Sequence, residues 1–226
     1  MVELSRRQFL QLAMASSLIC ALPAHGEKES HKELKECPAT ISVLHEAYIA
    51  EMSAYEHYES FRDKALQENY PNIAYLFHAF SVSEEIHADN YKAVLESSGE
   101  KMGAVNIEIH MKDTKKNLRE AANIEMRKIE IIYPELLKKL ESEAYDEAVS
   151  SCMYSWKSHQ QHKDMISELL KYARFFLSVI VGRIEEMKFD FYVCKVCGST
   201  LAEQPLAPCF ICNKSMANYQ KIQKPV

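Results

Sequence analysis

Glycine and proline are scarce in this chain, with five and seven among 226 residues. A chain with so few turn-forming residues, and with much Glu, Lys, Ala and Leu in its middle part, favours helices. Basic charge is not in excess either: the formal net charge is −5, which gives no reason to expect nucleic acid as a partner. Beyond the N-terminus, no apolar run has the length that spans a membrane. The length suits one medium domain and a small one.

Four cysteines near the C-terminus have the spacing of a tetrahedral metal site. They form two Cys-x-x-Cys pairs with eleven residues between them, namely Cys194, Cys197, Cys209 and Cys212. Two such knuckles offer four sulfurs to one iron or zinc ion. The module, about residues 188–223, is too short for an adequate hydrophobic core, so a metal is expected to hold it folded. Gly198 and Asn213 follow the knuckles, where a positive φ turns backbone N–H groups toward the sulfurs.

The first 26 residues have the pattern of an export signal. Paired arginines at 6–7 precede an apolar stretch at 12–22, and 24–26 offer a small-x-small cleavage site. The arginine pair is typical of the twin-arginine route, with an ordinary secretory signal or an amphipathic helix as the alternative. Because that route exports folded proteins, the four thiolates can take up a metal before they meet an oxidant. We expect a periplasmic protein without stable membrane insertion after signal removal.

Four segments between about residues 38 and 172 repeat apolar residues at steps of three and four. Each therefore predicts a helix with one apolar face. The third, for example, has the stripe Leu118, Ala121, Ala122, Glu125, Ile129, Ile132, Leu136 and Leu140. Ionisable residues interrupt every stripe near its middle, and the full set is Glu51, Glu84, His87, Glu125, His159 and His162.

These interruptions predict a cation inside the bundle. A buried, unpaired carboxylate costs several kcal/mol, and a whole domain is stable by only about 5–15 kcal/mol. Three Glu and three His would exceed that margin unless something neutralised them. Facing helices of a bundle are where carboxylate and imidazole metal sites are built. The alternative is a buried network of salt bridges and hydrogen bonds without metal.

Together these motifs resemble the rubrerythrin family, in which a ferritin-like di-iron bundle precedes a rubredoxin-like domain. The resemblance rests on Tyr48 to Glu51, on Ile73-Ala74 with Glu84-x-x-His87, on Asn117-Leu118, Glu125 and Tyr133-Pro134, and on the four cysteines. It implies an all-α four-helix bundle at 38–187 and a small β-rich metal-binding domain at 188–223. Carried over by position, the iron ligands would be Glu51, Glu84, His87, Glu125 and His162. Tyr58 and Tyr133 would hydrogen-bond to the ligands, or else be ordinary core aromatics.

Two positions depart from the family pattern. Lys128 stands where the third helix normally has a second Glu, and His159 stands where the fourth normally has a bridging Glu. One divalent ion balances three carboxylates and one ammonium, whereas two ions leave positive charge for hydroxide or oxide to neutralise. We therefore expect one metal at Glu84, Glu125, His159 and His162, with Lys128 near Glu51 in place of the other iron. A retained two-iron site is the alternative.

The resemblance implies an oxidoreductase that reduces hydrogen peroxide. Electrons would pass from the thiolate iron to the bundle iron, and would come from an electron donor protein, NADH-linked through a separate reductase. His87 would change coordination between redox states. With only a short linker at 182–190, a head-to-tail homodimer would bring the thiolate centre of one subunit to the bundle of another. The alternatives are a non-enzymatic electron-transfer or metal-binding protein with a one-metal bundle site, or a ferroxidase acting on dioxygen; zinc is an alternative at either site.

Overall fold

The structure, a computed structural model, describes residues 33–103, 105–170 and 177–226. The predicted export signal at residues 1–26 lies outside these residues and stays a prediction. The α-helices of the described part are α1 Pro38–Gln67, α2 Pro71–Ser97, α3 Thr114–Arg127, α4 Tyr133–Leu140, α5 Asp146–Leu170 and α6 Leu177–Glu186. None of the described helices combines the length and the apolar character needed to cross a membrane.

Local sequence sets several helix ends. Pro38 and Pro71 occupy the first turns of α1 and α2, where the N–H that proline lacks has no helical partner to lose. Asn69, with φ of 62°, lies in the turn between these helices, and Asn tolerates that conformation better than most residues. The Asp113 side chain accepts a hydrogen bond from the Lys116 backbone N–H and so caps α3.

The predicted four-helix bundle is formed by α1, α2, the α3–α4 segment and α5. The Thr114 N–H donates to Glu68 at one end of α1, and the Thr40 hydroxyl donates to Glu143 at the other. The third bundle helix therefore runs antiparallel to α1. Because α2 also returns against α1 after a short turn, α2 and α3 are parallel. The crossover at 98–113 thus runs back along the bundle, as the sequence predicts.

The third bundle helix differs from its prediction at residues 128–132. A π-helical turn separates α3 from α4 there. The expected stripe placed Ile129 and Ile132 in the core, but both are only half-buried, and Lys128 and Tyr133 are buried instead. Pro134 has no N–H to continue the regular ladder, and π turns accommodate such an interruption. Because a π turn brings residues that are five positions apart onto one face, Lys128 and Tyr133 can both point into the bundle.

The C-terminal module is a small antiparallel sheet packed on the bundle. Its strands are β1 Tyr192–Cys194, β2 Thr200–Leu201 and β3 Tyr219–Lys221, in the order β2-β1-β3. The hydroxyl of Tyr75 on α2 donates to the Ile222 carbonyl at 2.7 Å and accepts from the Phe191 N–H at 3.0 Å. Part of the expected linker at 182–190 is helical, because α6 continues to Glu186. The architecture is the predicted helical bundle with a small β-rich C-terminal module.

Candidate metal centres

The four cysteine sulfurs converge at the centre of the C-terminal module. Cys194 Sγ lies 3.7 Å from Cys212 Sγ, and Cys197 Sγ lies 3.5 Å from Cys209 Sγ. A disulfide would need a separation of about 2.05 Å. Metal–sulfur bonds of about 2.3 Å give tetrahedral edges of roughly 3.8 Å, close to the separations found. The sulfur geometry therefore fits one tetrahedral metal ion.

The backbone of both knuckles has the predicted conformation. Gly198 has φ of 72° and Asn213 has φ of 56°. Their N–H groups donate to the carbonyls of Cys194 and Cys209, at 2.9 and 2.7 Å, and so close the two knuckles. Sulfur atoms dominate the small core around them, with Ile211 as the buried aliphatic side chain. A core of this kind has little apolar surface to bury, so metal binding supplies its stability.

Every ionisable residue that the sequence singled out in the bundle lies in one buried cluster. Glu51 comes from α1, Glu84 and His87 from α2, Glu125 from α3, and His159 and His162 from α5. All six side chains are fully buried, and Lys128 is 2% exposed. The cluster contains two overlapping groups whose donor atoms lie within 4.8 Å of one another. The first group is Glu84, Glu125, His159 and His162, and the second is Glu51, Glu84, His87 and His159.

In the first group, one imidazole nitrogen faces two carboxylates. His162 Nε2 lies 3.1 Å from Thr200 Oγ1, whose hydroxyl donates to the Gly198 carbonyl at 3.0 Å. Nε2 therefore carries a hydrogen and donates to Thr200, and Nδ1 lies 3.4 Å from Glu84 Oε1 and 3.5 Å from Glu125 Oε1. Neither His162 Nδ1 nor Glu84 Oε1 has a hydrogen-bond partner within the described part of the chain. Buried polar atoms without a hydrogen-bond partner are rare, and their presence here indicates a binding position for a cation between them.

In the second group, the Lys128 ammonium lies among the acceptors. Its Nζ donates to Glu51 Oε2 and, at 3.1 Å, to Glu84 Oε2. His87 Nδ1 is 3.3 Å from the same Glu84 oxygen and 3.7 Å from the same Glu51 oxygen. Tyr133 donates to the other oxygen of Glu51. Both oxygens of Glu51 and the Oε2 atom of Glu84 are therefore satisfied by hydrogen bonds from the chain itself.

The two predicted tyrosines contact the cluster as the resemblance implies. The Tyr58 hydroxyl donates to Glu125 Oε1, and the Tyr133 hydroxyl donates to Glu51 Oε1. Burial is the main cause of a raised pKa for both phenols, and the nearby carboxylates raise it further. Each hydroxyl therefore keeps its proton and orients one carboxylate.

The electrostatics of the cluster favour cations. Burial and then Lys128 lower the pKa of His159, but Glu84, Glu51 and Glu125 outweigh them and raise it to about 10. Burial lowers the pKa of Lys128 as well, yet Glu51 and Glu84 raise it above its ordinary value. In the metal-free chain, a proton on His159 therefore supplies positive charge, and a bound metal ion would displace it.

The C-terminal module docks directly against this cluster. His87 Nε2 donates to the Cys197 carbonyl at 3.1 Å, and Ser83 Oγ donates to the Gly198 carbonyl at 2.7 Å. Two of the bundle imidazoles, His87 and His162, are thus oriented by hydrogen bonds to the module that carries the thiolates. The structure shows this contact within one chain, and the expected approach between two subunits stays a prediction. The sequence pattern missed Ser83 and Thr200, because neither residue type nor spacing marks a hydrogen bond across domains.

Gly198 permits this docking because it has no side chain. A Cβ at this position would lie 2.3 Å from His87 Nε2. Gly198→Ala should therefore push the module away from His87 and lower the free energy of unfolding by more than the strain of about 1–3 kcal/mol that a residue with a side chain carries at this φ. Chemical denaturation followed by circular dichroism would measure the loss.

Gly99→Ala is the matched control for this substitution. Gly99 has φ of 86°, and nothing lies within 4 Å of an added Cβ. Both variants carry backbone strain of about 1–3 kcal/mol, but only the one at Gly198 meets His87. Equal losses of stability in the two variants would show that the His87 contact does not hold the module in place.

A groove between α1 and α3 leads from the surface to Lys128, which contacts the cluster; none of the six candidate ligands lines this groove. It encloses about 420 Å³, and Lys128 forms part of its wall together with Ala54, Ile124 and Ile132. Ser53, His57 and Arg127 add polar groups to its lining. A small polar molecule can therefore approach the buried site along this side of the bundle.

Comparison with known proteins agrees with this geometry. A family model described as rubrerythrin matches residues 42–170. Rubrerythrin-2 of Clostridium acetobutylicum is 29% identical over 185 residues, which cover 80% of this chain and 95% of that protein. The solved structure of fully reduced, all-ferrous nigerythrin superimposes with a TM-score of 0.69 at 22% identity, covering 81% of this chain and 86% of that one. The structure of nigerythrin in its mixed-valence state superimposes with a TM-score of 0.68 at 21% identity, covering 88% of this chain and 91% of that one.

The match to the family model spans more than half of the chain. The chain therefore belongs to the rubrerythrin family of non-haem iron proteins, with a di-iron-type site in its bundle and a four-cysteine site in its C-terminal module. Its donors suit iron: carboxylates and imidazoles in the bundle, and four thiolates in the module. At their low identity, the nigerythrin structures establish the shared fold.

Proposed function

We propose that this protein reduces hydrogen peroxide, with electrons that pass from the four-cysteine site to the bundle site. The observation that carries the proposal is the contact between the sites, in which His87 donates to the carbonyl of Cys197, one of the four thiolate residues. A redox centre that contacts a buried cluster of carboxylates and imidazoles is suited to passing electrons from the four-cysteine site to a metal in the bundle. A structural zinc ribbon would not need this contact.

Iron bound at both sites would supply one electron per centre, and reduction of one hydrogen peroxide to two waters takes two electrons and two protons. The two protons come from solvent, along the groove that Lys128 lines and that also offers peroxide a route. The Lys128 ammonium keeps its own proton and holds Glu51 and Glu84 in place. Tyr58 and Tyr133 hold their protons on Glu125 and Glu51 and so keep these carboxylates in place. The surrounding helices exclude bulk water.

The test is to mix reduced protein with hydrogen peroxide in a stopped-flow instrument. A ferric thiolate site is red, so its colour reports electron loss from the C-terminal module. We expect oxidation by peroxide to be much faster than oxidation by air. Equal rates would favour a non-enzymatic electron carrier, and faster oxidation by dioxygen would favour a ferroxidase. A colourless module after purification would indicate zinc at the four cysteines.

We further propose the setting in which this reaction occurs. Electrons would come from a donor protein, NADH-linked through a separate reductase, as the family resemblance implies. The arginine pair at 6–7 supports export by the twin-arginine route to the periplasm. A homodimer also remains part of the proposal, on the same resemblance, although electron transfer does not require it when both sites meet within one chain.

A further inference from the structure

We infer that the bundle site holds one metal ion, bound by Glu84, Glu125, His159 and His162, and that the Lys128 ammonium permanently replaces the second. This inference rests on the proposed function only in taking the cluster as a metal site. It concerns how many ions bind and where.

Hydrogen bonding distinguishes the two halves of the cluster. Within the described part of the chain, the two cluster atoms without a hydrogen-bond partner are Glu84 Oε1 and His162 Nδ1, which both belong to the first group and lie 3.4 Å apart. In the second group, the oxygens of Glu51 and Glu84 that face His87 both accept from Lys128 Nζ. A metal ion in the first group therefore satisfies two atoms that lack partners and replaces one hydrogen bond, that between His159 Nδ1 and Glu125 Oε2. In the second group it would have to displace the ammonium from both carboxylates.

The balance of charge in the cluster also indicates a single metal ion in the bundle. Three carboxylates bring three negative charges, and the ammonium of Lys128 neutralises one of them. One divalent ion balances the remaining two. A second divalent ion would compete with the ammonium for the same oxygens and would face its charge at short range in a buried site. For two ions to bind, the Lys128 side chain would have to leave two buried carboxylates and turn into the groove.

Lys128 also occupies its position because of the fold. The π-helical turn that begins at this residue keeps both Lys128 and Tyr133 on the inner face, where both donate to Glu51. One oxygen of Glu51 accepts from each of them. Glu51 thus serves as the counter-ion of Lys128, which leaves the other two carboxylates, Glu84 and Glu125, to neutralise the metal ion.

Metal content of the full-length chain tests the inference. Anaerobically purified wild-type protein, loaded with excess ferrous iron and freed of loosely bound metal, should contain two ions per chain, one in each site. Lys128→Met removes the ammonium and should raise the content to three. Lys128→Glu, which restores a carboxylate at this position, should do the same. Lys139→Met is the matched control, because Lys139 pairs with Glu46 at 2.7 Å on the exposed surface; its content should stay at two.

Two ions in the wild-type bundle would overturn the inference and leave the proposed peroxide reduction intact. An unchanged content in both Lys128 variants would overturn it as well. If these variants fail to fold, the number of metal ions in the wild-type bundle still tests the inference. The opposite outcome is also distinguishable. If the bundle holds one ion, and peroxide oxidises the reduced protein no faster than air does, the proposed function is contradicted and the inference stands.

Discussion

Glu84→Gln should empty the bundle site of metal and abolish peroxide reduction. Glu84 belongs to both donor groups, and one of its oxygens has no partner in the described part of the chain. The neutral amide cannot balance a divalent ion, and its NH₂ group would face acceptors in a site built for a cation. Loss of an outer-shell partner already weakens metal binding about 10–100-fold, so loss of a ligand should weaken it by at least about 100-fold. Anaerobic titration with ferrous iron would measure the affinity.

Glu85→Gln provides the control for this substitution. The two glutamates are adjacent on α2, but Glu85 is exposed whereas Glu84 is fully buried. Both variants lose one negative charge from the same helix turn, and only the one at Glu84 changes the cluster. Wild-type affinity in Glu84→Gln, or an equal loss in both variants, would show that Glu84 does not bind the metal.

Cys197→Ser should remove the metal of the C-terminal module and stop the supply of electrons to the bundle. The core around the four sulfurs contains little apolar surface, while Phe191, Val193 and Ile222 of the module pack into the bundle core. The knuckles therefore depend on the metal for their folding, and structural zinc in zinc-finger peptides contributes about 10–16 kcal/mol at neutral pH. We expect the red colour to disappear, the metal content to fall by one ion per chain, and the module to become sensitive to protease. The bundle should keep its own metal and its helical circular-dichroism signal.

Cys152→Ser is the appropriate comparison. Cys152 is also fully buried, but it lies in the bundle among apolar side chains and away from the sulfur cluster. Burial raises the pKa of its thiol to about 12, so this thiol stays protonated. Its replacement should leave the colour unchanged and reduce stability by about 1–3 kcal/mol, through a buried hydroxyl. Persistence of the colour in Cys197→Ser would contradict the assignment of the four-cysteine site.

The sequence predicted the cysteine module well because its evidence is local. The spacing of the two Cys-x-x-Cys pairs, and the positive φ at Gly198 and Asn213, follow from the geometry of a knuckle that spans a few residues. The bundle was predictable for a similar reason, since helical periodicity places Glu84 beside His87 and His159 beside His162 on one face.

The third bundle helix shows where periodicity failed. A regular helix would bury Ile129 and Ile132, but the π-helical turn buries Lys128 and Tyr133 instead. The hydrophobic pattern assumes a constant rotation per residue, so it cannot detect a turn that adds one residue. Burial of a lysine also contradicts the usual preference, and only the facing carboxylates of Glu51 and Glu84 compensate for it.

By itself, the sequence determined which chemistry this protein can carry: four thiolates, three carboxylates and three imidazoles, with a lysine where the family resemblance implies a glutamate. It also predicted Lys128 near Glu51, but only the tertiary structure decided the individual contacts. It placed the Lys128 ammonium between two carboxylates and brought the Cys197 carbonyl to His87 within one chain. The physical reason is that ligand types and helix faces follow from short-range spacing, whereas contacts between side chains more than 40 positions apart depend on how the helices and the small sheet pack.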